Sequence, residues 1–262
     1  MRIGFVGAGR MGRPMVQRLV GAGHTVRAVG RSDETRLAVA ELGAEAIQLA
    51  AVGTDADAVV ICVFTDEQVR EVCLDSPLLT TLPAGAVILI HTTGSPHTAE
   101  NVAAQAGPRG IHVVDAAVSG GPHDIAAGHL TVFVGGTDEA VTRARPVLEA
   151  YADPILPVGT IGAGQRVKLV NNALFAAQIG LVAESVRLAT ELGIDEPTLL
   201  TALPHASSAS RALSGVAARG SVTEFATSVG EFLRKDVAAA RALATELEAD
   251  LGVLSPAIDK LA

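Results

Sequence analysis

The sequence is poor in aromatic residues and in cysteine. It has no Trp, one Tyr and six Phe among 262 residues, so alanine, valine and leucine must form most of the core, as expected of closely packed helices and parallel strands. The two cysteines, Cys62 and Cys73, fit no metal-binding spacing, and Cys62 lies in an apolar run where we expect an inert core residue. Such sparse cysteine use is typical of a reducing cytoplasm, which is the location we predict.

Excess positive charge is also absent. The formal net charge is −8 at pH 7, and a nucleic-acid partner is not expected because phosphate binding needs a basic surface. About half of the residues are hydrophobic, and 262 residues are enough for one large or two moderate domains with a real core.

Several common signals are missing. The sequence opens directly on a predicted strand, so no signal peptide is expected. Its seven histidines are scattered, with no H-E-x-x-H spacing, so no metal site is predicted. The most apolar window, about residues 167–192, carries several polar residues. We therefore expect a buried helix of a soluble protein rather than a membrane span. No G-x-S-x-G motif and no repeat of solenoid length occurs.

The first positive signal is the run Gly7-Ala8-Gly9-Arg10-Met11-Gly12, which follows the apolar strand 2–6 and opens a helix. In this context G-x-G-x-x-G is typical of dinucleotide binding. The first glycine permits the tight turn, the second lets the backbone approach a pyrophosphate, and the third brings the helix close to the strand. The helix N-terminus adds free N–H groups for the phosphates. The alternative is an ordinary glycine-rich turn.

The end of the second strand, about Thr25–Val29, indicates which cofactor binds. An NAD site would place Asp or Glu there for the ribose 2′-hydroxyl, but the sequence has Arg31 and Ser32. A guanidinium can pair with a 2′-phosphate, and a hydroxyl can assist. We predict NADP as the cofactor and NAD as less favoured; the alternative is a solvated loop arginine.

The chain then alternates between strands and helices up to Gly159-Thr160, which predicts a Rossmann-type doubly wound parallel sheet. Strands are predicted at 58–64, 87–91, 110–115 and 130–135, and helices at 35–42, 66–73, 97–106 and 141–151. Phe64 and Thr65 lie at one strand's carboxyl end, where ligands bind in such sheets. Beyond Gly162 only helices are expected, at about 164–192, 196–203, 207–218 and 229–250, with Phe225 in a loop. We predict an NADP-binding domain at 1–160 and an all-helical domain at 161–262.

Two further segments carry candidate chemistry. Residues 115–121 come at a strand's end, where Ser119, Gly120 and Gly121 offer a hydroxyl and open backbone N–H groups. Such a nest suits a substrate carboxylate, although an ordinary turn is an equal alternative. Lys168 and Asn172 lie four residues apart, so they share one helix face. A desolvated lysine can act as general acid or base; the alternative is a lysine that extends to solvent.

Together these motifs resemble the β-hydroxyacid dehydrogenase family, and more distantly 6-phosphogluconate dehydrogenase. The resemblance rests on four motifs in family-like order: the run 7–12 extended by Pro14 and Met15, the run 115–121, Gly162-x-Gly164-x-x-x-Lys168-x-x-Asn171-Asn172, and Lys235-Asp236. They span essentially the whole chain.

The resemblance implies roles for individual residues. Lys168 is expected to be the catalytic lysine and Asn172 to orient the substrate or the lysine. Ser119, Gly120 and Gly121 are expected to hold the substrate carboxylate.

The same resemblance implies the cofactor contacts. Thr93 is expected beside nicotinamide and substrate, and Lys235 near the cofactor. Arg31 and Ser32 match the family's NADP-preferring pair. With the glycine run they complete the predicted cofactor set Gly7, Ala8, Gly9, Arg10, Met11, Gly12, Arg31, Ser32, Phe64, Thr65, Thr93 and Lys235.

The sequence departs from the family pattern at two places. Ala117 replaces the usual proline in the second motif, which is expected to loosen the carboxylate loop slightly. The chain also ends earlier than is usual for the family. After Lys235 we expect one helix and a short Ser255-Pro256 tail, where the family commonly has further helices that help to build the dimer and wall off the site.

The expected function is hydride transfer between NADP and a small β-hydroxyacid or aldehyde acid, with Lys168 as general acid/base and a homodimer or homotetramer as the assembly. No nucleic-acid or membrane partner is expected. Two alternatives are an imine reductase-like NADPH enzyme and a non-catalytic NADP-binding protein.

Overall fold

The structure is a computed structural model that describes residues 1–260, apart from the side chain of Glu231. It divides into two compact units, Met1–Lys168 and the residues from Leu169 onward. The boundary therefore lies inside one long helix, α8 (Ala163–Glu191). The domain limits inferred from the sequence, 1–160 and 161–262, stay a prediction.

The first unit is built on one sheet of eight strands in the order β3-β2-β1-β4-β5-β6-β7-β8. Strands β1 to β6 all run parallel to one another. Strand β7 is antiparallel to β6, and β8 is parallel to β7. The Rossmann-type doubly wound prediction is confirmed, with one antiparallel pair that it did not include. The strands are β1 (Arg2–Val6), β2 (Thr25–Val29), β3 (Glu45–Ile47), β4 (Ala58–Ile61), β5 (Val87–Ile90), β6 (His112–Ser119), β7 (Leu130–Gly135) and β8 (Ala152–Gly159).

Helices cover both faces of this sheet, because the central strands are apolar on both sides. One buried cluster joins one face to α1, α2, α6 and α7, and a second joins the other face to α3, α4 and α5. A parallel sheet buried on both faces needs such continuous apolar strands. The helices are α1 (Gly12–Gly21), α2 (Asp33–Glu41), α3 (Asp66–Cys73), α4 (Leu78–Thr81), α5 (Pro96–Ala106), α6 (Pro122–Ala127) and α7 (Asp138–Leu148).

Strand β6 extends further than predicted. The sequence suggested a strand that stops at Asp115, but β6 continues to Ser119 because residues 115–119 pair with β7. Strand β8 was not predicted at all. Most of its side chains are at least partly exposed and it contains Pro154 and Pro157, which is tolerated at a sheet edge.

The second unit contains only helices among its described residues, as expected. The rest of α8 packs with α9 (Glu196–Ala202), α10 (Arg211–Arg219), α11 (Val222–Glu246) and α12 (Leu254–Asp259) around one apolar cluster. The loop predicted at Phe225 is wrong, since α11 begins at Val222 and the Phe225 ring stacks edge-on against Phe175. The stretch around Ser255-Pro256, expected to be a tail, forms α12.

Helix α8 is the one helix in residues 1–260 that is long and apolar enough to cross a membrane by length and composition. Its most apolar window has a mean hydropathy of 1.3, and 44% of that window is buried. Core helices of soluble proteins share both properties.

Candidate active site

The predicted cofactor residues of the first unit gather at one edge of the sheet. Strands β1, β2, β4, β5 and β6 are parallel, so the segments that follow them emerge on the same side. The strand order reverses between β1 and β4. Ligands of open α/β sheets bind at such a switch point, outside the carboxyl ends of the strands.

The loop after β1 has the backbone geometry of a phosphate cradle. Gly7 has φ +102°, and a Cβ there would collide with the carbonyl oxygen of Cys62; a Cβ on Gly12 would collide with the Gly7 carbonyl and lie 2.9 Å from the Phe5 ring. A Cβ on Gly9 would meet nothing within 4 Å, so that backbone is open to an approaching group. Helix α1 has no acidic residue in its first turn and no side-chain cap, so no side chain competes with an anion for its first N–H groups. The Arg13 N–H already donates to the Gly9 carbonyl at 2.9 Å.

Arg31 and Ser32 follow β2, and the structure gives them different environments. Arg31 is exposed. Ser32 caps α2, because its hydroxyl accepts a hydrogen bond from the Thr35 N–H at 3.2 Å. A 2′-phosphate at Ser32 would therefore share a hydroxyl that already stabilises a helix start.

Phe64 and Thr65 follow β4 at the same edge. The Phe64 side chain is 49% exposed, which is unusual for a ring beside a buried strand. Thr65 caps α3 and accepts a hydrogen bond from the Gln68 N–H, while the Gln68 amide oxygen accepts from the Phe64 and Thr65 N–H groups. These bonds fix the backbone that presents the Phe64 ring.

The segment that carries Thr93 is held on both sides. The Thr92 hydroxyl donates to the Val63 carbonyl at 2.9 Å and accepts from its N–H at 3.0 Å, which joins the ends of β4 and β5. The Gln165 amide spans the segment, donating to the Thr92 carbonyl at 2.9 Å and accepting from the Gly94 N–H at 3.1 Å. Gln165 is buried, and sequence reasoning did not single it out.

Asp115 holds the start of α8. Its two carboxylate oxygens accept from the N–H groups of Gly162 and Gln165, each at 2.7 Å, so it does for α8 what a capping side chain does for other helices. Burial raises the pKa of Asp115 to about 6, and the hydrogen bonds from Gln165 and Gly162 partly oppose that rise. In the sequence, Asp115 belongs to the run 115–121 but has no local sign of this capping role.

The sheet register explains how this cap reaches the site edge. Asp115 pairs with Ile90, the last residue of β5, and with Gly135 of β7, which in turn pairs with Gly159 at the end of β8. The chain enters α8 directly after β8. The helix that carries Lys168 therefore begins level with the carboxyl end of β5, from which Thr93 follows. An ion pair of 2.7 Å between Arg166 and Glu100 links the same helix start to α5.

Lys168 lies in the first turns of α8 and is partly buried. Asn172, one helical turn later, belongs to the second unit and is buried there. Its amide nitrogen donates to Asp236 at 2.5 Å, its amide oxygen accepts from Asn171 at 2.9 Å, and Lys235 pairs with Asp236 at 2.9 Å. Asp236 therefore holds this cluster together, although only its neighbour Lys235 was expected to have a role. The predicted substrate and cofactor roles of Asn172 and Lys235 stay predictions.

The carboxylate nest predicted at 119–121 is only partly open. Gly120 has φ +133°, which suits a nest, but the Gly121 N–H already donates to the Asp124 carboxylate at 2.7 Å. The expectation of an open N–H at Gly121 is therefore wrong. A substrate carboxylate at this loop must displace Asp124 from that N–H or use Ser119 and Gly120.

A buried pair of polar rings supports the strands behind the site. The Nδ1 of His91 is 2.5 Å from the Ala116 carbonyl oxygen and its Nε2 is 2.7 Å from the Tyr151 hydroxyl. A carbonyl only accepts, so Nδ1 carries the proton, Tyr151 donates to Nε2, and the imidazole is neutral. Burial lowers the pKa of His91 to about 4, and the bond to Ala116 partly opposes that shift.

Two further observations concern metal ligands and reactive thiols. Within residues 1–260, no group of three or more His, Cys, Asp or Glu side chains is arranged to hold a metal ion. Burial raises the pKa of Cys62 and of Cys73 to about 12, so both are thiols rather than nucleophilic thiolates. The glycine loop and the uncapped start of α1, in contrast, fit a dinucleotide.

Comparisons with known proteins agree with this geometry. The family model described as the NAD binding domain of 6-phosphogluconate dehydrogenase matches residues 2–162, and the model described as NAD-binding of NADP-dependent 3-hydroxyisobutyrate dehydrogenase matches residues 162–259. An uncharacterized oxidoreductase of Mycobacterium tuberculosis is 32% identical over 274 residues, covering 100% of this chain and 92% of that protein.

Two relatives carry a more specific name. The 3-hydroxyisobutyrate dehydrogenase of Pseudomonas aeruginosa is 35% identical over 213 residues, which cover 80% of this chain and 72% of that enzyme. The solved structure of Mycobacterium tuberculosis 3-hydroxyisobutyrate dehydrogenase with L-serine is 30% identical, has a TM-score of 0.87, and matches 98% of this chain and 91% of that one. The chain therefore belongs to the β-hydroxyacid dehydrogenase family of NAD(P)-dependent oxidoreductases.

Proposed function

We propose that this protein interconverts a small β-hydroxyacid and its aldehyde acid with NADP as cofactor and Lys168 as general acid/base. The observation that carries the proposal is the double attachment at the start of α8. Asp115 caps this helix start, and Gln165 ties it to the Thr92–Gly94 segment at the end of β5. A proton-transfer group needs a rigidly held backbone, because small displacements of a catalytic group lower the reaction rate by large factors.

The residues of this chain then divide the work. When bound, the nicotinamide supplies or accepts the hydride. In reduction, Lys168 donates a proton from Nζ to the carbonyl oxygen of the aldehyde; in oxidation, it accepts the hydroxyl proton at the same atom. Ser119 and Gly120 orient the substrate carboxylate, and Asn172 orients the substrate or the lysine. These roles follow the family resemblance.

The preference for NADP rests on charge. The end of β2 offers the exposed cation Arg31, whereas an NAD site is expected to place an acid there. The two acidic residues that follow, Asp33 and Glu34, stand in the first turn of α2, where they complement the helix dipole. Arg31 is thus the side chain proposed to pair with a 2′-phosphate. A cytoplasmic location is proposed with it.

The test is a spectrophotometric assay of NADPH consumption with glyoxylate, succinic semialdehyde, methylmalonate semialdehyde and tartronate semialdehyde. The oxidation direction is measured with 3-hydroxyisobutyrate and with L-serine, the β-hydroxyacid present with the Mycobacterium tuberculosis relative. Lys168→Ala is expected to lower kcat by about 10²–10⁴-fold while NADPH binding stays within a few-fold. Lys168→Arg should fail similarly, because a guanidinium does not release its proton at neutral pH.

Lys260→Ala is the matched control, since Lys260 is a surface lysine paired with Glu184. It should keep full activity. Equal loss of NADPH affinity and turnover in Lys168→Ala would count against the acid/base role. No turnover with any substrate, combined with tight NADPH binding, would contradict the proposal and favour imine reduction or a non-catalytic role.

A further inference from the structure

The loop proposed to hold the substrate carboxylate already holds a carboxylate of the protein itself. Asp124, in the first turn of α6, accepts a hydrogen bond from the Gly121 N–H through Oδ2 at 2.7 Å. The same oxygen lies beside the preceding residue, because a Cβ added to Gly120 would stand 2.9 Å from it. Asp124 therefore occupies one donor of the nest and the space next to Gly120.

The helix that carries this carboxylate is firmly placed. Pro122 at the first helical position presets the backbone, and Gly128 ends the helix in the left-handed conformation, with φ +80°. Ile125, which follows Asp124, is completely buried in the apolar cluster that α6 shares with α1. Asp124 can therefore leave the nest by rotating its own side chain, whereas a shift of α6 would expose this core.

The contact between Asp124 and Gly121 is also a helix cap, and a cap alone would not affect substrates. In a capping box, the side chains at the N-cap and at the third helical position bond reciprocally. Gly121 has no side chain, so Asp124 bonds the N-cap N–H without a return bond. Capping one N–H requires an acceptor oxygen, which an asparagine also supplies. The negative charge is therefore the part of Asp124 that the cap does not need.

An anionic substrate at this loop meets that charge at short range. It must displace Asp124 from the Gly121 N–H or bind beside it through Ser119 and Gly120. Displacement exchanges one charge-assisted hydrogen bond for another, so little affinity is gained. Binding beside Asp124 brings two carboxylates together, and like charges at close range repel. Both routes lower the affinity for an acid relative to a neutral molecule of the same shape.

We propose that Asp124 is a specificity-determining residue that competes with the carboxylate of the substrate. Because of it, the site accepts a β-hydroxyacid and the matching β-hydroxy carboxamide with similar affinity, instead of selecting strongly for the acid. The amide NH₂ can donate to the Asp124 carboxylate, which an ionised substrate carboxylate cannot do. This inference rests on the proposed function, in which the loop 119–121 receives the carboxylate end of the substrate.

The test compares 3-hydroxyisobutyrate with 3-hydroxyisobutyramide, which has nearly the same shape without the charge. Binding of each ligand to the full chain in saturating NADPH is measured by isothermal titration calorimetry. The cofactor and both ligands are then in their reduced forms, so the measurement needs no turnover. Wild type is expected to bind the two ligands within about threefold of each other, because repulsion by Asp124 offsets the hydrogen bonds that the acid gains.

Asp124→Asn separates charge from structure, since asparagine keeps an acceptor for the Gly121 N–H and removes the charge. It should bind 3-hydroxyisobutyrate about tenfold more tightly than wild type, as expected when a like charge a few ångströms away is removed. The carboxamide should bind nearly as before. Asp124→Ala removes the competitor altogether and should strengthen acid binding at least as much. Asp75→Asn is the matched control, because Asp75 is exposed in the loop after α3, and it should change neither affinity. Melting temperatures confirm that the variants are folded.

The ratio of the two affinities decides the outcome. If Asp124→Asn leaves the ratio of acid to carboxamide affinity unchanged, the inference is overturned and Asp124 is a helix cap only. Failure of both ligands to bind in every variant would overturn it too, because the loop would then receive neither end group. A protein that binds both ligands but transfers no hydride would contradict the proposed function, while the affinity ratio would still decide this inference.

Discussion

The pH dependence of stability should reveal two buried groups whose pKa values are shifted in opposite directions. His91 is completely enclosed, and its neutral ring satisfies both neighbours, the Ala116 carbonyl and the Tyr151 hydroxyl. A second proton would turn Nε2 into a donor, so the Tyr151 hydroxyl could no longer donate to it. The folded protein therefore holds His91 neutral, with a pKa lowered from 6.5 to about 4, mainly by burial.

The sign for His91 follows from linkage. The unfolded chain binds a proton at His91 below about pH 6.5 while the folded protein does not until about pH 4, so stability is lost as the pH falls through this window. A difference of 2.5 pKa units corresponds to roughly 3 kcal/mol. Above pH 6.5 the contribution is fully present.

Asp115 acts in the opposite direction. Its pKa is raised from 3.8 to about 6, mainly by burial, so the folded protein binds the proton more tightly than the unfolded chain. Its stabilising contribution is fully present below pH 3.8 and is lost as the pH rises through 6, again by roughly 3 kcal/mol. Between pH 4 and pH 6 the two slopes oppose each other, so these residues together leave the wild-type curve nearly flat.

Single variants should separate the two slopes in urea unfolding from about pH 4 to pH 7.5. For His91→Asn, the stability lost relative to wild type should be about 3 kcal/mol larger at pH 7.5 than at pH 4. For Asp115→Asn, the loss should instead be larger at pH 4. Each variant also has a constant offset from altered hydrogen bonds, which does not affect the slope. Parallel curves for wild type and both variants would refute the assignment of buried, shifted groups.

Two further predictions concern the cofactor. Arg31→Ala should reduce kcat/KM for NADPH by about tenfold to a hundredfold, the value of a charged hydrogen bond, and leave kcat/KM for NADH unchanged; an equal fall for both would show that Arg31 does not contact the 2′-phosphate. Gly9→Ala should keep the wild-type melting temperature and weaken cofactor binding measured by calorimetry, because the added Cβ meets no protein atom. Gly12→Ala should lower the melting temperature, because its Cβ collides with Gly7 and Phe5; stable Gly12→Ala would contradict the close packing of α1 on β1.

Local signals predicted the first unit well where the apolar pattern was clear. The bounds expected for β2, β7 and α3 agree with the observed Thr25–Val29, Leu130–Gly135 and Asp66–Cys73, since each is an apolar run or a capped helix flanked by polar residues. Strand β8 was not predicted, because it has two prolines and few buried residues, so its sequence shows neither alternation nor a continuous apolar run. An edge strand is defined by its pairing partner, and that partner lies elsewhere in the sequence.

The candidate site also contains features that one sequence segment reveals and features that depend on distant residues. Glycines at fixed offsets and a lysine four residues before an asparagine are visible in a single segment, so the sequence alone could nominate them. The groups that would position Lys168 are not visible in this way. Asp115 and Gln165 are fifty residues apart. They act together only because Asp115 pairs with Gly135 of β7, which in turn pairs with Gly159 at the end of β8. A residue whose role is to hold another across the fold has a motif position but no local signature, and only the strand register gives it a function.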